Sequence, residues 1–217
     1  MASVTPAVSR QPAAKPAWLA LLERFYERGR LPPPQVLEVR GREVPQPYRG
    51  LLVHSSDMTP TLERFYCQRM GIEVLSRELQ ANAYLREVIL TRAGDRAPVE
   101  YGVIRICLDH LPPAAARRVL EEQAPFGNIL QTEGLPHLSW PQAFFRVESD
   151  AHMRGVLRLE QAGVLYGRRN VLLDGSRRLL AEVIEILSPV AEKGLGANGF
   201  HRPKPEPSAA QTPKGRE

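Results

Sequence analysis

The sequence predicts an α+β fold built on a single antiparallel sheet of about six strands with helices packed on it. Three observations carry this. Apolar residues alternate with period two in several short runs. Two pairs of those runs are joined by turn-rich connections too short for a crossover, which makes them antiparallel hairpins. Helical spacing occurs between the strands without the strict strand–helix alternation that marks a doubly wound sheet.

Residues 17–28 place Trp18, Leu21, Leu22, Phe25 and Tyr26 at helical spacing, an amphipathic helix that stops at Gly29. A proline-rich link, residues 31–34, leads to a short strand at 36–39, and an irregular segment runs on to Tyr48. Asp57-Met58-Thr59-Pro60 opens a second amphipathic helix carrying Leu62, Phe65, Tyr66 and Met70. Thr59 is its expected cap, and Pro60 fits the first helical position, where a missing N–H costs nothing. Residues 72–79, 84–91 and 99–108 read as strands, the last two joined through residues 92–96. Residues 113–123 form a helix that ends before Pro125, and Phe126-Gly127-Asn128 is a turn that can open another short helix. A strand at 143–148 is followed by Ser149-Asp150, the cap of a helix reaching about residue 160. Strands at 170–173 and 179–187, joined by Asp174-Gly175-Ser176, close the domain.

A chain of 217 residues, 43% hydrophobic, can bury one substantial core. Residues 17–189 are expected to be that one domain. Residues 1–16 and 190–217 are rich in Ala, Pro, Gly and small polar residues without a periodic apolar face, and read as disordered tails. The tails carry most of the formal charge of +5 and leave the domain near neutrality, which argues against a specific nucleic-acid face. Cys67 and Cys107 form neither a disulfide framework nor a zinc motif and are expected as buried free thiols. Without an apolar run of about 20 residues or a secretory signal, no membrane span is expected and a cytoplasmic location is the default.

The run Gly194-Leu195-Gly196-Ala197-Asn198-Gly199 has the spacing of a dinucleotide fingerprint but lacks the preceding strand and following helix that the motif needs. The five histidines show no i, i+4 pair and no Cys/His cluster at ligand spacing, so no metal is expected. Neither a Gly-x-Ser-x-Gly elbow nor a phosphate-binding loop is present.

Arg86 stands out. Alternation along its strand puts Tyr84, Arg86, Val88 and Leu90 on one face, and a guanidinium among aliphatics needs an anionic partner. Residue pattern alone favours an edge-strand arginine that reaches water or pairs with a structural glutamate. In the last strand Glu182 lies on one face with Leu180, Ile184 and Ile186, and Glu185 on the other with Leu179, Ala181, Val183 and Leu187. Period alone does not say which glutamate points inward, and burial would raise the pKa of the one that does.

Met58-Thr59, Tyr84-Leu85-Arg86-Glu87, Ala124-Pro125-Phe126-Gly127 and Gly167-Arg168-Arg169 with Leu179-Leu180-Ala181-Glu182-Val183 resemble, in this order, the motifs of chorismate lyases (chorismate pyruvate-lyases). The resemblance is patchy and covers residues 51–189. It implies a chorismate lyase-like sheet whose helices cover an internal pocket. It implies further that Arg86 holds the ring carboxylate and Glu182 faces the oxygen at the opposite end of the ring. Met58 would line the pocket, and Phe126 and Gly127 would bind substrate, the Phe126 backbone N–H giving the carboxylate a second donor. Phe126 stands where the family usually has leucine, and Val103 where some members carry an arginine. The family carries a run similar to Gly167-Arg168-Arg169, which could help close the site, but two arginines placed before a strand are more often solvated and are read so.

The implied activity belongs to aromatic metabolism: elimination of pyruvate from chorismate to give 4-hydroxybenzoate or a related hydroxybenzoate, with Arg86 and Glu182 catalytic and no metal or organic cofactor. The expected partner is a small aromatic or cyclohexadiene carboxylate, and the expected state a monomer. The superfamily also includes effector-binding domains of transcription regulators, so the alternative is a noncatalytic small-acid binding protein. No helix-turn-helix is legible before Leu51.

Overall fold

The computed structural model describes residues 16–190, and the readings made above for residues 1–15 and 191–217, the glycine run included, lie outside the described residues. Seven strands form one sheet: β1 (Val36–Val39), β2 (Met70–Leu79), β3 (Ala83–Arg92), β4 (Pro98–Cys107), β5 (His137–Glu148), β6 (Val164–Asp174) and β7 (Leu179–Leu187). Their order is β1-β5-β6-β7-β4-β3-β2, and every pairing is antiparallel. The α+β class with a single antiparallel sheet is as expected.

Two strands are longer than their sequence pattern suggests. β5 begins at His137 because a register shift between Pro141 and Ala143 lets the chain pass a proline that would otherwise break the ladder. β6 begins at Val164, so Gly167, Arg168 and Arg169 lie within the strand rather than before it. Two adjacent arginines hide the alternation there. Their charges are met by glutamates on β7, Arg168 by Glu185 and Arg169 by Glu182.

The helices are α1 (Ala20–Arg28), α2 (Tyr48–Leu52), α3 (Met58–Tyr66), α4 (Pro113–Glu121), α5 (Phe126–Thr132) and α6 (Ala151–Leu157), with a 3-10 turn at Ala17–Leu19 leading into α1. α2 is a one-turn helix that the sequence pattern does not reveal. At α3 the cap position belongs to Asp57 rather than Thr59, and Pro60 is the third helical residue, still among the four whose N–H has no helical acceptor. At α6 the Asp150 side chain accepts from the Met153 N–H at 2.8 Å, as a cap should. Cys67 takes a left-handed C-cap conformation after Tyr66 and is exposed, contrary to expectation, whereas Cys107 is buried.

One face of the sheet is covered by α1 and α6 over Leu85, Ile89, Tyr101, Val103, Phe145 and Ile184. The opposite face carries two apolar clusters. One gathers Leu52, Met58 and Leu62 over Leu90 and Leu187, and the other gathers Ala115, Val119, Phe126 and Leu130 over Tyr84, Ile104 and Val183. β3 lies between β2 and β4, so Arg86 is not on an edge strand.

Gly167 is the tightest of the described glycines. A Cβ there would lie 2.4 Å from the Glu185 carbonyl oxygen and 2.5 Å from the Phe145 ring, neither of which can retreat without shifting a strand or a core aromatic. Gly167→Ala is therefore expected to destabilise by about 3 kcal/mol, the upper end for overpacking. That lowers the thermal midpoint by about 5–10 °C for a domain of this size. Calorimetry showing an unchanged midpoint would mean that β6 is spaced less tightly from its neighbours.

Candidate functional site

Between the two clusters on the α2–α5 side lies a cavity of about 60 Å³. Its floor is the sheet: Arg86, Val88 and Leu90 from β3, Glu100, Gly102 and Ile104 from β4, Val183 and Glu185 from β7, and Asn170 and Leu172 from β6. Its walls are the adjoining starts of α3 and α5, with Asp57, Met58 and Thr59 from the first and Pro125, Phe126 and Gly127 from the second. Strand alternation delivers every floor residue to the same face, so one polar seam runs across four neighbouring strands.

Arg86 is 1% exposed, yet no ion pair neutralises it among the described residues. Nη2 donates to the Ala124 carbonyl at 3.4 Å, while Nε and Nη1 have no protein acceptor. The nearby carboxylate of Glu122 is engaged by the Tyr84 hydroxyl and by Arg77. Burial pulls the guanidinium down to about 10, opposed by Tyr84 and Glu122. A cation that remains charged at neutral pH, buried in a cavity with two donors unused, has the chemistry to receive an anion.

The cavity also holds acidic groups. Glu185 accepts from Arg168 Nε at 2.5 Å, and both side chains are buried. Glu100 is 3% exposed, and its Oε2 has no protein partner. Burial first, and the neighbouring Glu185 second, push the Glu100 carboxyl well above the ordinary carboxylate range, against the pull of Arg168. Burial raises Glu185 as well, but Arg168 beside it favours its ionised form. Of the two, Arg168 favours the ionised form of Glu185, and Glu100 is the carboxyl that burial pushes further toward its protonated form.

Arg168 has a second task. Its Nη1 donates to the carbonyls of Leu52 at 3.3 Å and His54 at 3.2 Å, and Nη2 donates to that of Ser56 at 3.1 Å. One buried guanidinium therefore ties the segment leading into α3 to the sheet and sets Met58 at the cavity wall. Asn170 Nδ2 donates to Ser139 Oγ at 2.9 Å, and Ser139 donates to the Ser56 carbonyl at 3.3 Å. His137 Nε2 meets Asp57 Oδ2 at 2.7 Å, and this contact raises the imidazole pKa against the opposing effect of burial.

A folded-state pKa above that of the unfolded chain means that the His137–Asp57 contact contributes fully below the ordinary histidine value of about 6.5 and fades as pH rises through the raised value. In thermal melts from pH 5.5 to 8.5, wild type is expected to exceed His137→Asn most at the acidic end, with the gap shrinking as pH rises. A gap that widened with pH would reverse the assignment.

No family model matches the chain, and no curated protein matches it. Solved structures are similar to it over part of their length. YydK of Bacillus subtilis, described as a possible transcriptional regulator, is 12% identical with a TM-score of 0.47, over 77% of this chain and 83% of that one. The effector domain of PhnF from Mycobacterium smegmatis is 12% identical with a TM-score of 0.46, over 60% of this chain and 87% of that one. Against a longer PhnF structure this chain covers 64% of the length, again at 12% identity and a TM-score of 0.46. Likeness at this level leaves the reading of the cavity to its own residues.

Of the expected site residues, the fold brings Arg86, Met58, Phe126 and Gly127 together around the cavity. Glu182 is not among them. Alternation sends it to the opposite face of β7, where Arg169 Nε donates to its Oε1 at 2.8 Å and both side chains are partly exposed. Glu185 is the glutamate of β7 that lines the cavity. Arg168, read as solvated, is fully buried because β6 is a central strand and Glu185 lies directly opposite it in register. Val103 packs with Tyr101 on the α1–α6 side, so its identity does not change the charge of the cavity. Glu100 and Asn170 escaped the sequence reading. The signal for Glu100 was a glutamate in a strand whose same-face neighbours, Gly102 and Ile104, are uncharged.

No helix among the described residues is long and apolar enough to cross a membrane.

Proposed function

We propose that the cavity binds a small cyclic carboxylic acid, with its carboxylate held by Arg86. The single observation that carries this is the buried guanidinium with two unused donors in a lined cavity. The walls suit a ring: Met58 and Phe126 from the helices and Val88, Leu90 and Ile104 from the sheet are apolar, while polar groups sit at defined points of the floor. The first N–H groups of α5, next to the cavity at Phe126 and Gly127, have no helical acceptor and are oriented as helix-start donors.

A second reading, catalysis, is favoured by the carboxyl pair Glu100 and Glu185. Val88, Gly102 and Glu185 stand opposite one another on adjacent strands. Arg86 lies two residues from Val88 on the same face, so the Arg86 and Glu185 backbones are roughly 12 Å apart from strand spacing and rise. With both side chains reaching inward, that separation fits a single six-membered ring. In the elimination that the resemblance implies, the ether carbon–oxygen bond of chorismate breaks, the ring loses a proton to become 4-hydroxybenzoate, and the departing enolpyruvate gains one to become pyruvate. Arg86 would orient the ring carboxylate. Glu185, rather than Glu182, would face the opposite end, beside a Glu100 carboxyl able to supply a proton.

Titration calorimetry with 4-hydroxybenzoate tests the binding reading, and incubation with chorismate, following pyruvate and hydroxybenzoates, tests catalysis. Binding without turnover leaves a small-acid binding protein. Neither binding nor turnover would sink both readings.

A further inference from the structure

Arg86 is not the only buried group facing the cavity without a partner. Glu100 enters from the adjacent strand, is almost wholly buried, and presents an Oε2 that no donor or acceptor meets among the described residues. Leaving a polar group this deep without a partner is costly, and a hydrophobic residue of similar size would be expected to stabilise the sheet. Its neighbours are arranged to accommodate it. Gly102, two residues along β4 on the same face, has no side chain, and a Cβ there would come within 3.2 Å of Glu100 Oε1. Glu185 cannot take the same role, because Arg168 already occupies it.

Asp57 Oδ1 and Asn170 Oδ1 also lack a partner, but each of those side chains is anchored through its other polar atom, and Arg86 and Glu100 differ in chemistry. Arg86 offers only donors, whereas the Glu100 carboxyl offers an acceptor and, when protonated, a donor. Glu100 stands opposite Leu90 in the β3–β4 register and Arg86 opposite Ile104, so the two lie toward different ends of the floor.

We infer that Glu100 is a specificity-determining residue of the cavity, pairing its free carboxyl oxygen with an uncharged hydroxyl that the ligand carries away from the carboxylate held by Arg86. This rests on the carboxylate-binding reading above and narrows it to hydroxy-substituted ring acids. A hydroxyl satisfies Glu100 whichever state the carboxyl adopts, whereas a hydrogen or methyl at that position leaves the carboxyl buried and unmet. A site built to hydrogen-bond a ligand hydroxyl discriminates strongly against the analogue that lacks it.

The experiment is titration calorimetry of benzoate, 4-methylbenzoate and 3- and 4-hydroxybenzoate against wild type, Arg86→Ala, Glu100→Gln and Glu100→Leu, each checked for folding by a thermal melt. Wild type is expected to prefer the better hydroxybenzoate over benzoate and 4-methylbenzoate by about tenfold or more. Glu100→Gln, which still donates and accepts, should keep that preference, and Glu100→Leu should reduce the ratio to near one. An undiminished ratio in Glu100→Leu, or no preference in wild type, overturns the role of Glu100 while Arg86-dependent benzoate binding leaves the carboxylate reading standing. The comparison of hydroxyl with methyl in wild type decides the matter even if the leucine variant does not fold. Absence of Arg86-dependent binding of any of these acids overturns both.

Discussion

Arg86→Ala is expected to weaken binding of a ring carboxylate by about a hundredfold or more, since removing one partner of a buried charged pair typically costs 2–5 kcal/mol. The same change is not expected to destabilise the fold in proportion. Among the described residues Arg86 has no ion pair and only one long hydrogen bond, to Ala124, so the folded protein loses little when the guanidinium goes. Arg86→Met fills the space with an apolar chain and should match or exceed the wild-type thermal midpoint. Lost binding with undiminished stability is the signature of a residue kept for its ligand. Arg86→Lys should fall between, because an ammonium supplies charge without the planar fork. If chorismate is turned over, product formation should fall with binding in the alanine variant. Equal affinity in wild type and Arg86→Ala would remove the anion from this site.

Arg168→Met is expected to have the opposite balance. Arg168 is fully buried, pairs with Glu185 and holds three carbonyls of residues 52–56, so its removal strands a buried carboxylate and frees the approach to α3. Breaking a buried ion pair from one side costs about 3–5 kcal/mol. For a domain of this size the thermal midpoint should fall by about 10 °C or more. Adding Glu185→Leu to Arg168→Met removes the stranded charge and should recover part of the loss, the remainder being the unmet carbonyls. A double variant no more stable than Arg168→Met would place the energy in the carbonyl contacts instead. A single variant with an unchanged midpoint would remove the idea that Arg168 fastens the cavity wall.

The two arginines contrast in a way that period-two patterning cannot express. Both sit in central strands with their side chains on the same face, and both are almost completely buried. One is satisfied by its cross-strand neighbour and serves the fold, and the other keeps two unused donors among the described residues. The difference comes from register: Glu185 stands opposite Arg168, whereas Ile104 stands opposite Arg86.

By itself the sequence determined the class of the fold, the positions of most strands and helices, and the face on which Arg86 travels, because these follow from backbone periodicity and turn chemistry within a few residues. Met58, Phe126 and Gly127 were legible through the order of short motifs. Tertiary structure alone decided that Glu185 and not Glu182 meets the cavity, that Arg168 is buried within a strand, and that Glu100 stands unpartnered beside Glu185. The physical reason is that β7 carries one glutamate on each face, and alternation separates the faces without saying which one the helices will cover. Only the seating of α2–α5 over one side of the sheet, and the register that sets strand against strand, turns a pattern of charges into a site.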